Sequence, residues 1–269
     1  MLNGPFTTLR LPGPFARRRG GGFNPASLFA NGEQGAFYDP SDLRTLFQDE
    51  AGTTPVTDPG QTVGLMLDKS GNDNHATQPA AESRPVYQAG GGLHWLEFDG
   101  VDDVLETKSI PSIADPVTGF SMIFGTQRQD DEAFRVSQYN TDDRRVFSSV
   151  VSGSFSSIYA FSVQLPSAYA AGREVTIDPG SMPHIATMRW GGADEFNKVR
   201  INGGSYAVSS DTTPEFPSVN EKIEIGAYND SAQNSPGKLF SLVIIGRDMT
   251  ESEIPRVEQW SARKTGISI

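Results

Sequence analysis

The sequence predicts an all-β sandwich with an extended N-terminal arm and short flanking helices. First, 28 glycines and 18 prolines among 269 residues indicate many turns. Second, from residue 93 onward, short runs of alternating apolar residues are separated by turn signals about every ten residues. Third, the chain has no long amphipathic run before its last twenty residues, which argues against a helical bundle. A chain of this length suits one large all-β domain with an appendage.

The charge and composition exclude several function classes. The formal net charge of −11 at pH 7 repels nucleic-acid phosphates. Cysteine is absent, which removes disulfides and thiolate chemistry. No run of 18 apolar residues occurs, and the first residues lack the apolar segment of a signal peptide. We therefore expect no nucleic-acid partner and no insertion into a membrane.

Residues 1–32 are predicted to form an extended, basic anchoring arm. The segment is rich in glycine and proline and has no acidic residue, so it cannot build a helix or a central strand alone. It is either a disordered tail in the isolated protein or an arm that orders on an acidic partner, since it also carries large apolar groups. The residues expected to bind that partner are Phe6, Leu9, Arg10, Phe15, Arg17, Arg18, Arg19 and Phe23.

Residues 33–60 are predicted to form a short helix and a connector. Asp39 is positioned to cap a helix, and Pro40 suits the first helical position. Leu43, Leu46 and Phe47 then fall on one face. The pattern predicts a helix from Asp39 to Phe47.

Residues 61–269 are predicted to form the sandwich itself. Several runs alternate so that each buries one face against a second sheet. These runs carry Phe120, Met122 and Phe124, then Ala186, Met188 and Trp190, then Ile223 and Ile225. Asn202-Gly203 predicts a tight hairpin, because both residues tolerate positive φ. Leu239 to Ile245 is nearly all apolar, which predicts a central strand buried on both faces.

The last predicted element is a helix that closes this domain. Thr250 and Glu253 have the spacing of a capping box, and Gly266 suits the C-terminal end. Its apolar face is marked by Ile254, Val257 and Trp260.

Two motifs resemble a known family. Residues 68–75 read Asp-Lys-Ser-Gly-Asn-Asp-Asn-His, and residues 98–104 read Phe-Asp-Gly-Val-Asp-Asp-Val. A turn of this kind followed by an aromatic strand end resembles the opening of concanavalin A-like, laminin G-type jelly-roll domains. The resemblance implies a jelly-roll β-sandwich of a kind that usually binds sugars or other proteins, and that cuts a substrate in only some members.

The flanking segments resemble tailed-phage structural proteins in which a laminin G-like domain follows. The similarity covers residues 28–85 and returns in residues 222–266. It implies a non-enzymatic virion protein whose arm docks on other virion proteins and whose sandwich faces outward. We expect a tail fibre, spike or adhesin component that binds a host glycan, and a homo-oligomer, taken as a trimer because trimers are common among similar fibres. A capsid decoration protein and a soluble calcium-dependent lectin are the alternatives.

Two clusters of side chains with oxygen atoms are candidates for a calcium site. Asp68, Asn72 and Asn74 offer hard oxygen donors at alternate positions, but the loop lacks the glycine and glutamate positions of a calcium loop, which favours an Asx-rich turn held by its own hydrogen bonds. Asp99, Asp102 and Asp103 have the same two interpretations, and the resemblance adds that related domains bind calcium near strand ends. Calcium is therefore the one candidate cofactor.

A sugar site needs an aromatic ring beside polar groups, and Tyr228, Asn229 and Asp230 form the predicted loop with that composition. Hydrolysis would need two carboxylates on one strand face, in a pattern such as Glu-x-Asp-x-Glu, which does not occur. Glu224 has no identifiable partner in the sequence, and no Gly-x-Ser-x-Gly motif is present. The sequence therefore favours a binding protein over an enzyme, with a glycan hydrolase as a further alternative.

Overall fold

The computed structural model describes residues 22–111, 113, 118–129, 134–140, 144–150, 159–161, 173–175, 181–191, 197–208, 220–228 and 233–269. In these ranges the chain is mostly β-strand. Short 3-10 helices span Pro25–Phe29, Leu43–Thr45 and Ala81–Ser83, and α-helix α1 spans Ile254–Thr265. None of the helices in the described part of the chain is long and apolar enough to cross a membrane.

The strands follow one another along the chain in short segments. They are β1 Gly35–Tyr38, β2 Leu46–Phe47, β3 Leu65–Met66, β4 Ala76–Thr77, β5 Val86–Gly90, β6 Leu93–Asp99, β7 Leu105–Thr107, β8 Ile110–Pro111, β9 Phe120–Arg128, β10 Val136–Asn140, β11 Arg144–Val150, β12 Tyr159–Phe161, β13 Arg173–Val175, β14 His184–Trp190, β15 Asn197–Ile201, β16 Ala207–Val208, β17 Asn220–Glu221, β18 Ile223–Ile225, β19 Ala227–Tyr228, β20 Gln233–Asn234 and β21 Pro236–Ile245.

The strands build two antiparallel sheets. Sheet A has the order β16-β15-β14-β9-β21-β6-β5, and β1 also pairs with β21. Sheet B has the order β13-β12-β11-β10-β18-β7-β4-β3-β2. One edge of β21 is shared: β6 pairs with Pro236 to Leu239, and β1 pairs with Leu242 to Ile245. Two small ribbons, β8 with β17 and β19 with β20, complete the pairing.

The main core lies between the two sheets. Sheet A contributes the inward faces of β9, β14 and β21, and sheet B contributes those of β7, β10 and β18. Phe98 of sheet A meets Phe134, beside β10, edge to face with ring centroids 5.0 Å apart. Alternating strands packed in this way make an all-β sandwich.

A second core lies on the outer face of sheet A, under α1. The helix approaches the sheet closely at Gly125, where an added Cβ would lie 2.1 Å from Thr265 Oγ1. The hydroxyls of Ser241 and Ser261 are 2.7 Å apart at the same contact. Trp260 packs edge-on against Phe37 at 5.1 Å between ring centroids. Small residues therefore allow the helix to pack directly on the strands.

Most local predictions are confirmed. The alternating runs of β9, β14 and β18 place the predicted residues in the core. Asn202 and Gly203 have φ of 51° and 69° in the tight connection between β15 and β16. The end of β21 is fully buried, and Thr250 and Glu253 exchange the hydrogen bonds of a capping box before α1. Gly266 ends α1 in the left-handed conformation.

The predicted helix from Asp39 to Phe47 is wrong. The preceding residues Gly35–Tyr38 form β1, and only Leu43–Thr45 form a 3-10 turn before β2. Asp39 Oδ1 accepts hydrogen bonds from the Ser41 N–H at 3.2 Å and the Ser41 hydroxyl at 2.6 Å. This is an Asx turn, which uses the same carboxylate acceptor as a helix cap.

The arm and connector segments also differ from the prediction near their junction with the sandwich. Pro25–Phe29 forms a 3-10 helix, and Leu28 and Phe29 are buried in the core under α1. Residues 33–60 supply β1 to sheet A and β2 to sheet B. Leu28, Phe29 and the apolar residues of β1 and β2 are therefore part of the folded sandwich.

Candidate ligand-binding end of the sandwich

The acidic loop, residues 99–103, lies where β6 ends at one end of the sandwich. Asp99 Oδ1 accepts the N–H of Val101 at 2.7 Å, and Asp103 Oδ2 accepts the N–H of Asp99 at 2.9 Å. Gly100 has φ of 76°, and a Cβ there would lie 2.5 Å from Pro236. The loop conformation is therefore fixed by its own hydrogen bonds and by a glycine that no other residue can replace without strain.

Three carboxyl groups meet in this loop. Ligand oxygens of Asp99, Asp102 and Asp103 lie within 4.8 Å of one another. Asp103 is 5% exposed, and burial raises its pKa to about 6, with the charges of Asp99 and Asp102 acting in the same direction. Crowded carboxylates repel each other, so a cation between them would be favoured.

The residues fit a hard cation such as calcium. Calcium takes oxygen ligands at about 2.3–2.6 Å, so oxygens within 4.8 Å of one another can share one ion. Asn234 supplies a further observation: its Oδ1 is buried and has no hydrogen-bond partner among the described residues. The structure brings together the carboxyl groups of Asp99, Asp102 and Asp103, and Asn234 binds the same loop through the Val101 carbonyl.

The hairpin of β19 and β20 lies against the acidic loop. Asn234 Nδ2 donates a hydrogen bond of 2.6 Å to the carbonyl oxygen of Val101. Tyr228 ends β19, where its backbone pairs with Gln233. Asn229 and Asp230 lie outside the described residues. The structure therefore brings the β19–β20 hairpin, whose first strand ends at Tyr228, next to the predicted metal ligands, a proximity that the sequence does not reveal.

The Asp68 loop has a different role. The Asp68 carboxylate accepts hydrogen bonds from the N–H groups of Phe37, Ser70 and Asn74 at 2.8, 2.8 and 3.1 Å. The amide nitrogens of Asn72 and Asn74 donate to the Gly35 carbonyl at 3.0 and 2.9 Å. These contacts correspond to the Asx-rich turn rather than to a calcium loop, because the carboxylate is engaged by N–H groups and the amides present donors. The loop holds β1 in place.

Most of the predicted arm residues, Phe6, Leu9, Arg10, Phe15, Arg17, Arg18 and Arg19, lie outside the described residues. The exception is Phe23, which is partly buried against its own chain, with the Arg256 guanidinium 4.5 Å from its ring. Its predicted contact with a partner stays a prediction. An apolar residue beside α1 completes the second core.

Sequence reasoning missed one pair of carboxylates. Glu224 of β18 lies directly opposite Glu106 of β7. Their neighbours Leu105 and Ile225 are in the main core, so both glutamates project from the outer face of sheet B. Lys222 Nζ lies 2.7 Å from Glu106, and Glu224 is 2% exposed. The two come from different strands, so no single-strand motif could have indicated them.

Comparison with known proteins supports the fold. No family model matches the sequence, and no curated protein matches it. Among solved structures, an arabinofuranosidase of family GH54 soaked with 4-nitrophenyl α-L-arabinofuranoside is similar with a TM-score of 0.60 and 13% identity, over 90% of this chain and 66% of that one. At such identity the likeness shows the fold alone.

Two further structures share the same fold. Trypanosoma rangeli sialidase in complex with 2,3-difluorosialic acid has a TM-score of 0.53 and 11% identity, over 89% of this chain and 34% of the sialidase. The binding domain of botulinum neurotoxin serotype G has a TM-score of 0.52 and 12% identity, over 73% of this chain and 49% of that one. The chain thus spans about a third to two thirds of the proteins it resembles.

Proposed function

We propose that this chain is a non-enzymatic tailed-phage virion protein whose concanavalin A-like, laminin G-like sandwich binds host-surface glycans. The observation that carries glycan binding is the hydrogen bond from Asn234 to Val101, which holds the Tyr228 hairpin against the acidic loop. Sugar sites combine an aromatic residue with polar groups, and the hairpin and the acidic loop together contain both residue types. Similar folds in carbohydrate-active proteins are compatible with this proposal.

In the proposed mechanism, the acidic loop orients the sugar and the hairpin covers it. Asp102 is partly exposed, and among the described residues its carboxylate has no hydrogen-bond partner, so it is free to act as a ligand. A calcium ion held there would offer its open coordination positions to sugar hydroxyls. The acidic loop would then keep that face of the sugar fixed while the hairpin contacts the ring.

A glycan array tests this proposal. The full chain is applied with calcium and then with a chelator, beside the variants Asp102→Asn and Asp58→Asn. Asp58 is an exposed aspartate in another loop, so it controls for loss of one charge. We expect binding that the chelator and Asp102→Asn abolish and Asp58→Asn preserves. A wild-type protein that binds no glycan would contradict the proposal.

The virion role rests on the sequence resemblance and has its own test. Basic and apolar groups in residues 1–21 would dock on acidic neighbouring virion proteins and on sister subunits of a homotrimer. Immunogold electron microscopy with an antibody against residues 93–266 would label the tail or baseplate. Label over the head would instead support a capsid decoration protein, and unlabelled particles would leave the soluble lectin as the better explanation.

A glycoside hydrolase is the second candidate, and Glu106 opposite Glu224 is the observation that favours it. Directly opposed antiparallel residues have Cβ atoms about 4.5–5.5 Å apart, so the two side chains leave the sheet side by side on one face. Glycosidases of the retaining class use two such neighbouring carboxyl groups. Reducing ends released from polysaccharides by the wild type, but not by Glu224→Gln or Glu106→Gln, would establish it. Equal release by the wild type and a boiled control would exclude it.

A further inference from the structure

A second recess lies at the end of α1, where β6 begins, whereas the acidic loop follows the other end of that strand. It encloses about 390 Å³, which is within the range of small-ligand pockets. The β5–β6 turn, the loop after β1 and the last turn of α1 meet here. The lining residues are Ser41, Gly92, Leu93, His94, Arg263 and Lys264. We call this recess the corner pocket.

The corner pocket has an excess of positive charge in an acidic protein. Lys264 Nζ donates to Asp39 Oδ2 at 2.9 Å and to Ser41 Oγ at 2.5 Å. Lys69 Nζ lies 3.4 Å from the Asp39 carboxylate and 2.8 Å from that of Asp42, so Lys69 and Lys264 together balance these two aspartates. Arg263 is exposed and makes no ion pair within the described residues. Its guanidinium is therefore available for an anion.

Neighbouring residues fix the positions of the polar side chains that line the corner pocket. Burial raises the pKa of Asp39, but hydrogen bonds from Ser41 and Lys264 outweigh burial and hold that pKa below its ordinary value. The Asp39 carboxylate that binds Lys264 therefore stays charged. His94 Nδ1 lies 2.6 Å from the hydroxyl of the buried Tyr87, which fixes the imidazole. Its Nε2 has no partner within the described ranges and can contact a ligand.

The mouth of the pocket is open. Gly91 and Gly92 have φ of 62° and 82° in the tight β5–β6 turn, and a Cβ on either would meet nothing within 4 Å. The turn thus contributes backbone alone to the rim. Leu93 adds an apolar surface beside the polar groups, which suits a ring that has one apolar face and several hydroxyls.

We propose that the corner pocket binds the carboxylate-bearing ring of an acidic sugar. Arg263 pairs with the carboxylate, because a guanidinium matches that group with two parallel hydrogen bonds. His94 and Lys264 contact hydroxyls, and Leu93 lies under the ring. This inference rests on the proposed glycan binding and adds a second subsite and a class of sugar to it.

Isothermal titration with three probes tests the proposal: methyl β-D-glucuronide, the neutral methyl β-D-glucoside, and inorganic phosphate. Arg263→Gln is compared with Arg256→Gln, which removes the same charge from the exposed face of the same helix, outside the pocket. We expect the wild type to bind the glucuronide at least about tenfold more tightly than the glucoside. Arg263→Gln should lose about tenfold in that affinity, and Arg256→Gln should retain it.

Three results would overturn the proposal. They are equal affinity for glucuronide and glucoside, an unchanged affinity in Arg263→Gln, and phosphate binding as tight as glucuronide binding, which would indicate an anion site without sugar recognition. The glycan array separates this failure from failure of the proposed function. If array binding that depends on Asp102 persists while these titrations fail, the corner pocket alone is refuted.

Discussion

Asn234 and Val101 join two loops that are far apart in the sequence: the Asn234 amide donates a 2.6 Å hydrogen bond to the Val101 carbonyl. Val101 is 75% exposed, so the bond lies at the surface, where a ligand could reach both loops. The relationship makes the hairpin and the acidic loop a single structural unit.

Replacing Asn234 by Ala should uncouple that unit. A hydrogen bond of this kind contributes about 0.5–1.5 kcal/mol, and water can replace it at an exposed carbonyl. We expect a small loss in the free energy of unfolding in urea, together with faster amide hydrogen exchange in β19 and β20. Unchanged exchange in the hairpin would show that this bond does not hold it.

Replacing Glu258 by Gln should destabilise the protein strongly. Arg200 donates hydrogen bonds of 2.8 and 2.7 Å to a carboxylate that is 2% exposed, and the change leaves the guanidinium without its counter-charge. Breaking a buried pair costs about 3–5 kcal/mol. Urea unfolding measures the loss, and the exposed Gln259→Ala is the control. If the further change Arg200→Met restores the free energy of unfolding, the unpaired guanidinium is the cause of the loss. A loss as small as that of Gln259→Ala would refute the prediction.

Stability at acid pH should depend on Glu253. Two hydrogen bonds from Arg247, both 2.8 Å, lower the pKa of Glu253 to about 2. Because the folded pKa lies below the unfolded value, this stabilisation is present above about pH 4.5 and is lost as the pH falls toward 2.

The variant Glu253→Gln isolates that charge, since glutamine retains the capping-box geometry. We expect it to be about 1 kcal/mol less stable than the wild type at pH 7, a value reduced for solvent screening, and equally stable near pH 2. Urea unfolding at several pH values measures the difference, with the exposed Glu82→Gln as control. A difference that does not change with pH would contradict the prediction.

Replacing Gly125 by Ala should push α1 away from sheet A. The new Cβ would meet the Thr265 hydroxyl at 2.1 Å and those of Ser241 and Ser261 at 2.9 Å. Overpacking of this kind costs about 1–3 kcal/mol. Gly22→Ala, where a Cβ meets nothing within 4 Å, is the matched control in thermal unfolding. If Gly125→Ala and Gly22→Ala had the same melting temperature, the close approach of helix and sheet would not contribute to stability.

Local patterns in the sequence predict local structure well. The alternation in β9 and β14, the Asn202 turn and the Thr250 capping box each depend on residues a few positions apart, and the structure contains each of them. Asp39 shows where local reasoning fails: an Asx turn and a helix cap use the same carboxylate, and pairing of β1 with the distant β21 selected the turn.

In the candidate site, too, features within one loop could be predicted from the sequence, and contacts between distant segments could not. The crowding of Asp99 and Asp102 could be predicted because one tight loop holds both. The contact of the β19–β20 hairpin with that loop, and the pairing of Glu106 with Glu224, could not be predicted, because the pairing of distant strands determines both. The corner pocket likewise depends on three segments that meet only in the folded chain.

The shared edge of β21 has a consequence for how the protein forms. This strand follows every other strand of its sheet in the sequence, yet it lies in the middle, between β9 on one side and β6 and β1 on the other. During synthesis, the edges of β9, β6 and β1 that pair with β21 remain unpaired until β21 is made. Unpaired strand edges are sites of mispairing and aggregation. Sheet A is therefore completed only after residues 236–245 have left the ribosome, and a chain stopped before them would present those edges to chaperones.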